Sequence, residues 1–495
     1  MAKQTNKSFN YWQWRIIIVS MICYSMFYFC RKNFSIAMPG LTAEYGISNT
    51  SFGIIIGLGS LLYSLARFIN GFIVEKYSTK VFMAIGLLLC AIANFGFGFG
   101  ADLSYLLSGV HEGPQFVNML ILVMGVTIIF NQYFQGMGYP PMARMLPTWI
   151  PPHQLATKMS IWNTSHSIGA ILASVGCGLI MSNMGADLTG DSSVVARITA
   201  NLSGTIKGWD GMDVADRTAK VLSYAGHVGA WRWCFFIPAL FALVGCIGIL
   251  TGLKDKPQDV GLPEVEGTHT GKDGIHGKKG AHKAFLRHMV FKNRWVWTFA
   301  IANIFVYVLR VGVLDWGPKF LTEHKGMDIK SAAWSVAFFE LLAIFGTIVA
   351  GWATDHIFKG KAHRMCVVCM IGSVIFFGAF ALLPDIPNIV SIIILACGGF
   401  CIYGPQALIG IGAANQATKE ASATANGLTG IMGYAGSAVS AVIFGIIADK
   451  LGWDAVFLSF IIVGIVGTLI FASMWTAPRD GYDRAQEFTS SYKED

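Results

Sequence analysis

Apolar runs of about twenty residues, closed by charges or by Gly/Pro punctuation, recur along the whole chain. They lie near 14–38, 51–74, 81–100, 117–138, 157–181 and 231–252, then near 293–316, 332–352, 365–383, 389–412, 422–447 and 454–476. A helix needs about 20 mainly apolar residues to cross the hydrocarbon core, where every backbone group must be satisfied within the segment. Twelve such runs restrict the chain to an all-α membrane protein embedded in a lipid bilayer. Composition agrees, since only 13% of the 495 residues are charged, about half the ~25% of a soluble domain. The formal net charge of +8 could suggest nucleic acid in a soluble protein, but here it follows from loop placement. With a cytoplasmic N-terminus, the cytoplasmic segments hold 23 of the 36 Lys and Arg, the opposite loops hold 8, and Arg31, Lys32, Arg67, Arg232 and Arg310 fall in or at the edge of spans. That bias puts both termini in the cytoplasm, and no nucleic-acid partner is expected. The polar start "MAKQTNKSFNYWQWR" leads into span one without a small-residue cleavage site, so no cleavable signal peptide is expected.

Two non-span stretches exceed a tight connection. Residues 253–292 are polar, basic and Gly-rich and bisect the chain, as a cytoplasmic linker would. Residues 182–230 read as an insertion on the outer side, a small helical cap without evident chemistry. The parts on either side of the linker repeat each other. Tyr28 and Arg31 of "YFCR" recur as Tyr307 and Arg310 of "YVLR" at an offset of 279, and Gly71 and Glu75 recur as Gly351 and Asp355 at 280. The expected organisation is therefore a six-helix half at 1–252, the linker at 253–292, and a second six-helix half at 293–495. Parallel six-span repeats of this kind resemble the major facilitator fold, in which substrate binds near the bilayer midplane between the halves. The loop "GFIVEKYSTK" also resembles that superfamily's G-x-x-x-D-R signature, with Glu75-Lys76 in place of Asp-Arg. Glu75, Lys76 and Asp355 are thus candidates for a cytoplasmic helix latch, against the plainer reading of solvated turns with snorkelling lysines.

Seven ionisable residues fall inside the spans: Arg31, Lys32, Arg67, His166, Arg310, Asp315 and Glu340. A charge at the bilayer centre costs about 2.5–3.5 kcal/mol even on the lenient insertion scale. Four fixed cations stand against two acids, so the cargo should be an anion. Proton-coupled sugar or drug carriers would need a titratable carboxylate in the path. An Arg at each of two repeated positions favours an oxyanion with several oxygens, which the guanidinium fork binds through parallel hydrogen bonds. Lys32 lies about 100° round the helix from Arg31, so it belongs to a helix–helix position and joins the candidate gating residues with Glu340, which needs a basic partner. Asp315, near the outer end of span seven, reads as a structural hydrogen-bonding residue. Arg67 either faces the cavity or snorkels, and His166 is either a packing residue or a proton-exchanging ligand. Tyr24, Tyr28 and Tyr307 share the faces of the two arginines, either to hydrogen-bond a phosphate or to pack. Asn163 lies one turn from His166.

No nucleophile–base constellation, Walker loop, zinc spacing or dinucleotide fingerprint occurs, and "GLGSL" (57–61) lacks the Lys and Ser/Thr of a phosphate loop. Cys366 and Cys369 form a CxxC, but in an apolar run without other soft ligands, so buried packing is expected. Neither an enzyme nor an ATP-driven pump has support, and no cofactor or metal is expected.

The stretches "RKNFSIAMP" (31–39), "QGMGYPP" (135–141), "SIWNTSHSIGA" (160–170), "AIANIFVYVLRVGVLDWGPKFL" (300–321) and "IYGPQALIG" (402–410) resemble the organophosphate:phosphate antiporter family of the major facilitator superfamily. The resemblance covers nearly the whole chain except 182–230. It is strongest to the glycerol-3-phosphate branch, with the hexose-phosphate transporters and a related sugar-phosphate sensor next. It implies exchange of an organic phosphate for inorganic phosphate by alternating access, in a bacterial inner membrane and as a monomer. Residue by residue, it implies that Arg31 and Arg310 bind the phosphoryl group and that His166 takes part. It also implies that Tyr24, Tyr28, Asn163, Tyr307, Tyr403 and Tyr434 line the site. The glycerol-3-phosphate branch carries a lysine where this chain has Arg67, which keeps charge but changes geometry. "TANGLTG" (424–430) lacks the charges of the hexose-phosphate branch. A hexose-phosphate antiporter and a transporter-like sugar-phosphate sensor are the alternatives.

Overall fold

The computed structural model describes residues 2–74, 76–265, 281–383, 386–418 and 420–491. Among them, twelve helices are long and apolar enough to cross a membrane. Spans one to six are Ser8–Tyr45, Asn49–Val74, Thr79–Gly98, Pro114–Trp149, Ile161–Asn183 and Ala230–Gly252. Spans seven to twelve are Arg294–Glu323, Ile329–His356, Ala362–Leu382, Asn388–Ala417, Ser422–Leu451 and Trp453–Ala472. The described residues contain no strand, only an isolated bridge between Ala186 and Val228. The centre of the expected linker, 266–280, and Glu75 lie outside the described residues.

Several helices outrun the apolar runs that predict them. Span one continues to Tyr45 rather than ending near 38, because its polar last turn is satisfied in place. Glu44 accepts from the Gly229 backbone N–H at 2.8 Å and from Trp231 Nε1 at 3.1 Å. Span seven likewise reaches Glu323 rather than 316.

The chain forms two compact units. One comprises Met1–His269, Asp315–Ala337 and Val442–Gly452, so it includes spans one to six, the C-terminal ends of spans seven and eleven and the N-terminal part of span eight. Here span one packs on spans five and six, and span three on span six, around Phe27, Cys30, Met83, Leu87, Trp149 and Trp162. A buried amide cluster fixes span one within it. Asn131 donates to the Cys30 carbonyl at 2.9 Å, Asn94 to the same carbonyl at 3.2 Å, and Gln135 to the Phe27 carbonyl at 2.8 Å. Asn33 in turn donates to Asn94 Oδ1 at 2.7 Å. Between membrane helices such hydrogen bonds and small-residue contacts replace the hydrophobic effect as the source of specificity. On another side Ser25 Oγ donates to the Ser165 carbonyl at 3.0 Å. A Cβ at Gly169 would stand 2.6 Å from the Ser25 carbonyl, so spans one and five touch backbone to backbone.

Residues 184–229 fold as two helices, Ser192–Thr205 and Val214–Ala225, around Val194, Ile198, Leu202, Trp209, Val221 and Tyr224. Asp191 caps the first, accepting from Ser193 N at 2.9 Å. The Ser193 hydroxyl and the backbone N–H groups hold its carboxyl below the usual range.

The second unit comprises Thr270–Leu314, Phe338–Ala441 and Trp453–Asp495. Span nine packs on spans ten and twelve, and Asn303 of span seven donates to the Thr429 carbonyl of span eleven at 2.8 Å. Exposed Phe68, Phe72, Leu240, Val244, Ile462 and Leu469 give the helices an apolar outer surface for lipid. All ten cysteines are free thiols, with Cys366 and Cys369 buried.

Two glycines of span eight separate packing from propensity. A Cβ at Gly346 would lie 1.9 Å from the Phe400 carbonyl oxygen, whereas nothing lies within 4 Å of one at Gly351. Gly346→Ala should therefore cost about 1–3 kcal/mol or more through overpacking. Gly351→Ala should be neutral or stabilise by about 0.5–1 kcal/mol. Thermal unfolding of the two variants in detergent, followed by size-exclusion fluorescence, checks the contrast.

Candidate functional site

In the first unit the amide cluster grips span one on the two turns that carry Tyr28 and Arg31. The Arg31 guanidinium lies over the Tyr63 ring, 3.8 Å from its centroid, and 5.6 Å from that of Tyr28. Tyr28 is 5.6 Å from Tyr24 and 5.8 Å from His166, centroid to centroid. The structure therefore brings Tyr24, Tyr28, Arg31 and His166 together. His166 Nδ1 meets the main-chain carbonyl of Asn163. A carbonyl only accepts, so Nδ1 is the donor in this contact. Asn163 thus contributes its backbone here, while its side chain is exposed.

Arg67 has its own aromatic seat, 4.0 Å from the Tyr139 centroid. Tyr139 continues to Trp162 at 6.0 Å and Trp162 to Tyr24 at 4.8 Å, a ring chain linking the two cations. Tyr63 and Tyr139 are absent from the sequence-based candidates. For Tyr63 a signal existed, one turn before Arg67 in "LLYSLARF".

In the second unit Arg310 lies 4.5 Å from the Tyr403 centroid, and the Tyr403 hydroxyl donates to the Glu340 carboxylate. All three side chains are buried, with Glu340 at 0% exposure. A buried cation, a phenol and a buried acid are thereby arranged as one charge-compensated set. Glu340 is expected to need a basic partner, and the contact it makes here is through the phenol. Tyr307 and Tyr434 form a separate edge-on pair, with centroids 5.1 Å apart.

Lys32 departs from Arg31 as the helix geometry predicts. Its ammonium pairs with Asp315 at 2.5 Å, both side chains 14% exposed. Two further embedded charges escaped the sequence-based inventory because the expected span seven stops at 316. Lys319, at 0% exposure, pairs with Glu323 at 2.7 Å and donates to the Thr42 hydroxyl. Their i,i+4 spacing was the available signal. Of the latch candidates, Lys76 and Asp355 are exposed and Glu75 is outside the described residues. The signature loop is held by Arg144, which donates to the carbonyls of Val74 and Tyr77.

The protein is thus a multi-pass helical membrane protein with embedded arginines seated on tyrosines. Residues 20–441 match the Major Facilitator Superfamily, and the chain belongs to it. Within that superfamily it is a member of the organophosphate:phosphate antiporter family. It is 32% identical to a glycerol-3-phosphate transporter of Bacillus subtilis over 93% of this chain and 92% of that one. It is 30% identical to a probable hexose phosphate transport protein of Chlamydia trachomatis, over 95% and 92%. Among solved structures, a bacterial homologue of the human lysosomal transporter Spinster shares the fold with a TM-score of 0.70 at 12% identity, over 98% of this chain and 99% of that one. The protein is thus a transporter related to carriers of phosphorylated substrates, and its relatives are not enzymes.

The Lys32–Asp315 pair is testable by its non-additivity. Removing one partner of a buried pair strands the other charge and costs about 3–5 kcal/mol, whereas replacing both with apolar groups is nearly neutral. Lys32→Met and Asp315→Leu should each lower the thermal midpoint markedly, and the double variant should recover most of the loss.

Proposed function

We propose that this protein exchanges an organic phosphate monoester, glycerol-3-phosphate in the first instance, for inorganic phosphate. It would do so as a monomer by alternating access in a bacterial inner membrane, with both termini cytoplasmic. Arg31 and Arg310 are the phosphoryl ligands. The observation that carries this reading is the shared seating of the two arginines, each embedded in a span and laid over a tyrosine ring. A cation–π contact offsets part of the cost of holding a guanidinium in the membrane, by about 0.5–2 kcal/mol. A guanidinium stays protonated and presents a planar fork that matches a phosphoryl group. The named relatives carry phosphorylated substrates, which supports the same ligand class.

His166 can exchange a proton with the phosphate as its charge changes. Tyr24, Tyr28, Tyr307, Tyr403, Tyr434, Asn163 and Arg67 read the organic end. Binding of the phosphate lowers the barrier to switching, while the unloaded carrier switches slowly. Uniport is thereby suppressed in favour of exchange. Glu340, at the Tyr403 hydroxyl, is the competing anion that holds the Arg310 set when substrate is absent.

Counterflow in proteoliposomes loaded with inorganic phosphate tests this. Arg31→Ala and Arg310→Ala should abolish exchange, and the lysine variants should retain at most about one per cent, because a point charge does not replace a bidentate fork. Normal exchange in either alanine variant would defeat the two-arginine site. Competition among glycerol-3-phosphate, glucose-6-phosphate and phosphoglycerate ranks the organic substrate. A sensor would bind these compounds without counterflow.

A further inference from the structure

Segment 184–229 has a core of its own, yet its polar side chains reach three different spans of the same compact unit. Asn201 donates to the Ala43 carbonyl at 3.0 Å in the last turns of span one. Lys220, on the second cap helix, donates to the Thr322 carbonyl at 2.5 Å. Lys207, in the turn after the first cap helix, donates to the Lys450 carbonyl at 2.5 Å. Thr322 and Lys450 stand in the last turns of spans seven and eleven. The final carbonyls of a helix lack partners within it and carry the negative end of its dipole, so an ammonium group is the complementary ligand. The two arms differ in strength. Lys220 is largely enclosed, and burial lowers its pKa while nearby Glu323 opposes the shift. Lys207 is exposed, where such a contact contributes less.

The ends gripped in this way are also those tied down beneath the cap. Asp449, one residue before Lys450, accepts from Asn49 N at 3.0 Å and Thr50 N at 2.7 Å, closing the N-terminus of span two. A Cβ at Gly445 would meet the Asn49 carbonyl at 2.4 Å, and one at Gly178 would meet Ala333 Cβ at 2.5 Å. Three residues before Thr322, Lys319 donates to Thr42.

We propose that 184–229 is a clasp. Anchored on span one through Asn201, it holds the ends of spans seven and eleven through Lys220 and Lys207, and it releases them whenever the carrier opens toward that side. The release step rests on the transport reading above, and the grip itself does not.

Hydrogen exchange of the full-length protein in detergent reads the grip without reference to transport. Lys220→Met should speed exchange in 319–325 by at least about threefold, and Lys207→Met should do so more weakly in 447–452, since loss of a tie populates the open form. Arg217→Met, a charge control on the same cap helix, should leave both segments unchanged. Unchanged exchange in 319–325 in Lys220→Met would overturn the clasp whether or not the protein transports. Lys220→Arg, which keeps a donor, should restore the wild-type pattern, and a failure to do so with a folded protein would equally overturn it. In counterflow, Lys220→Met should lower the half-saturating phosphate concentration on the cap side by about threefold and raise it reciprocally on the other. Loosened amides with an unshifted half-saturation in an actively exchanging protein would remove the release step. Loosened amides in Lys220→Met, with a wild-type protein that exchanges no phosphate, would leave the clasp standing and refute the transport reading.

Discussion

The grip of Asn94, Asn131 and Gln135 on the backbone of span one is the constraint on which the first unit depends. These bonds end on the carbonyls of Phe27 and Cys30, so they fix the rotation of the helix at the turns that carry Tyr28 and Arg31. A membrane helix has no hydrophobic driving force to choose which apolar face meets its neighbour, and span one is apolar on most sides. Three amides on two other spans make that choice. With rotation set, Lys32 is carried round to Asp315 and Arg31 to Tyr63, so adjacent cations acquire different partners from a single structural decision.

Close approach completes what the amides begin. Gly169 brings span five against the Ser25 carbonyl, and that contact sets the height of His166 beside Tyr28. In the second unit the same logic recurs with different residues. Asn303 ties span seven to span eleven, and Gly433 leaves room for the Tyr307 ring, where a Cβ would come within 2.9 Å of it. Tyr307 is thereby placed edge-on to Tyr434. The repeat legible in the sequence is thus a repeat of roles: an amide tie, a small residue and a tyrosine before an arginine.

Much of this fold was legible because the bilayer allows few solutions. Twelve apolar runs could only be twelve helices, and Tyr28–Arg31 and Tyr307–Arg310 declared themselves by recurring at one offset. The side-chain seats were not legible. Tyr63 and Tyr139 look like ordinary span residues, and only three-dimensional packing shows that they lie beneath Arg31 and Arg67. Helix ends were misplaced for a definite reason, since hydropathy stops at the first polar residues. Thr42, Glu44, Lys319 and Glu323 remain helical because each finds a buried partner beyond the reach of any local pattern. The asparagines of spans three and four gave no sign of which helix they would hold.

The embedded cations divide by chemistry rather than by position. Lys32 and Lys319 each hold a carboxylate, at 2.5 and 2.7 Å. Arg31, Arg67 and Arg310 each lie over a tyrosine ring. An ammonium is a compact, strongly hydrated charge, and a carboxylate is the partner that best replaces its water; a guanidinium is weakly hydrated and tolerates an aromatic face. The consequence is functional. A lysine paired to an acid is electrically closed, and an anion arriving from solution would have to displace the carboxylate first. A ring contact stabilises a guanidinium through its quadrupole and does not itself supply a negative charge. In the second unit the Glu340 carboxylate reaches the Arg310 set through the Tyr403 hydroxyl, so even there the acid bonds the phenol in front of the guanidinium. Adjacent residues on one helix, Arg31 and Lys32, thus differ in kind: one lies over the Tyr63 ring and the other holds the helix to Asp315.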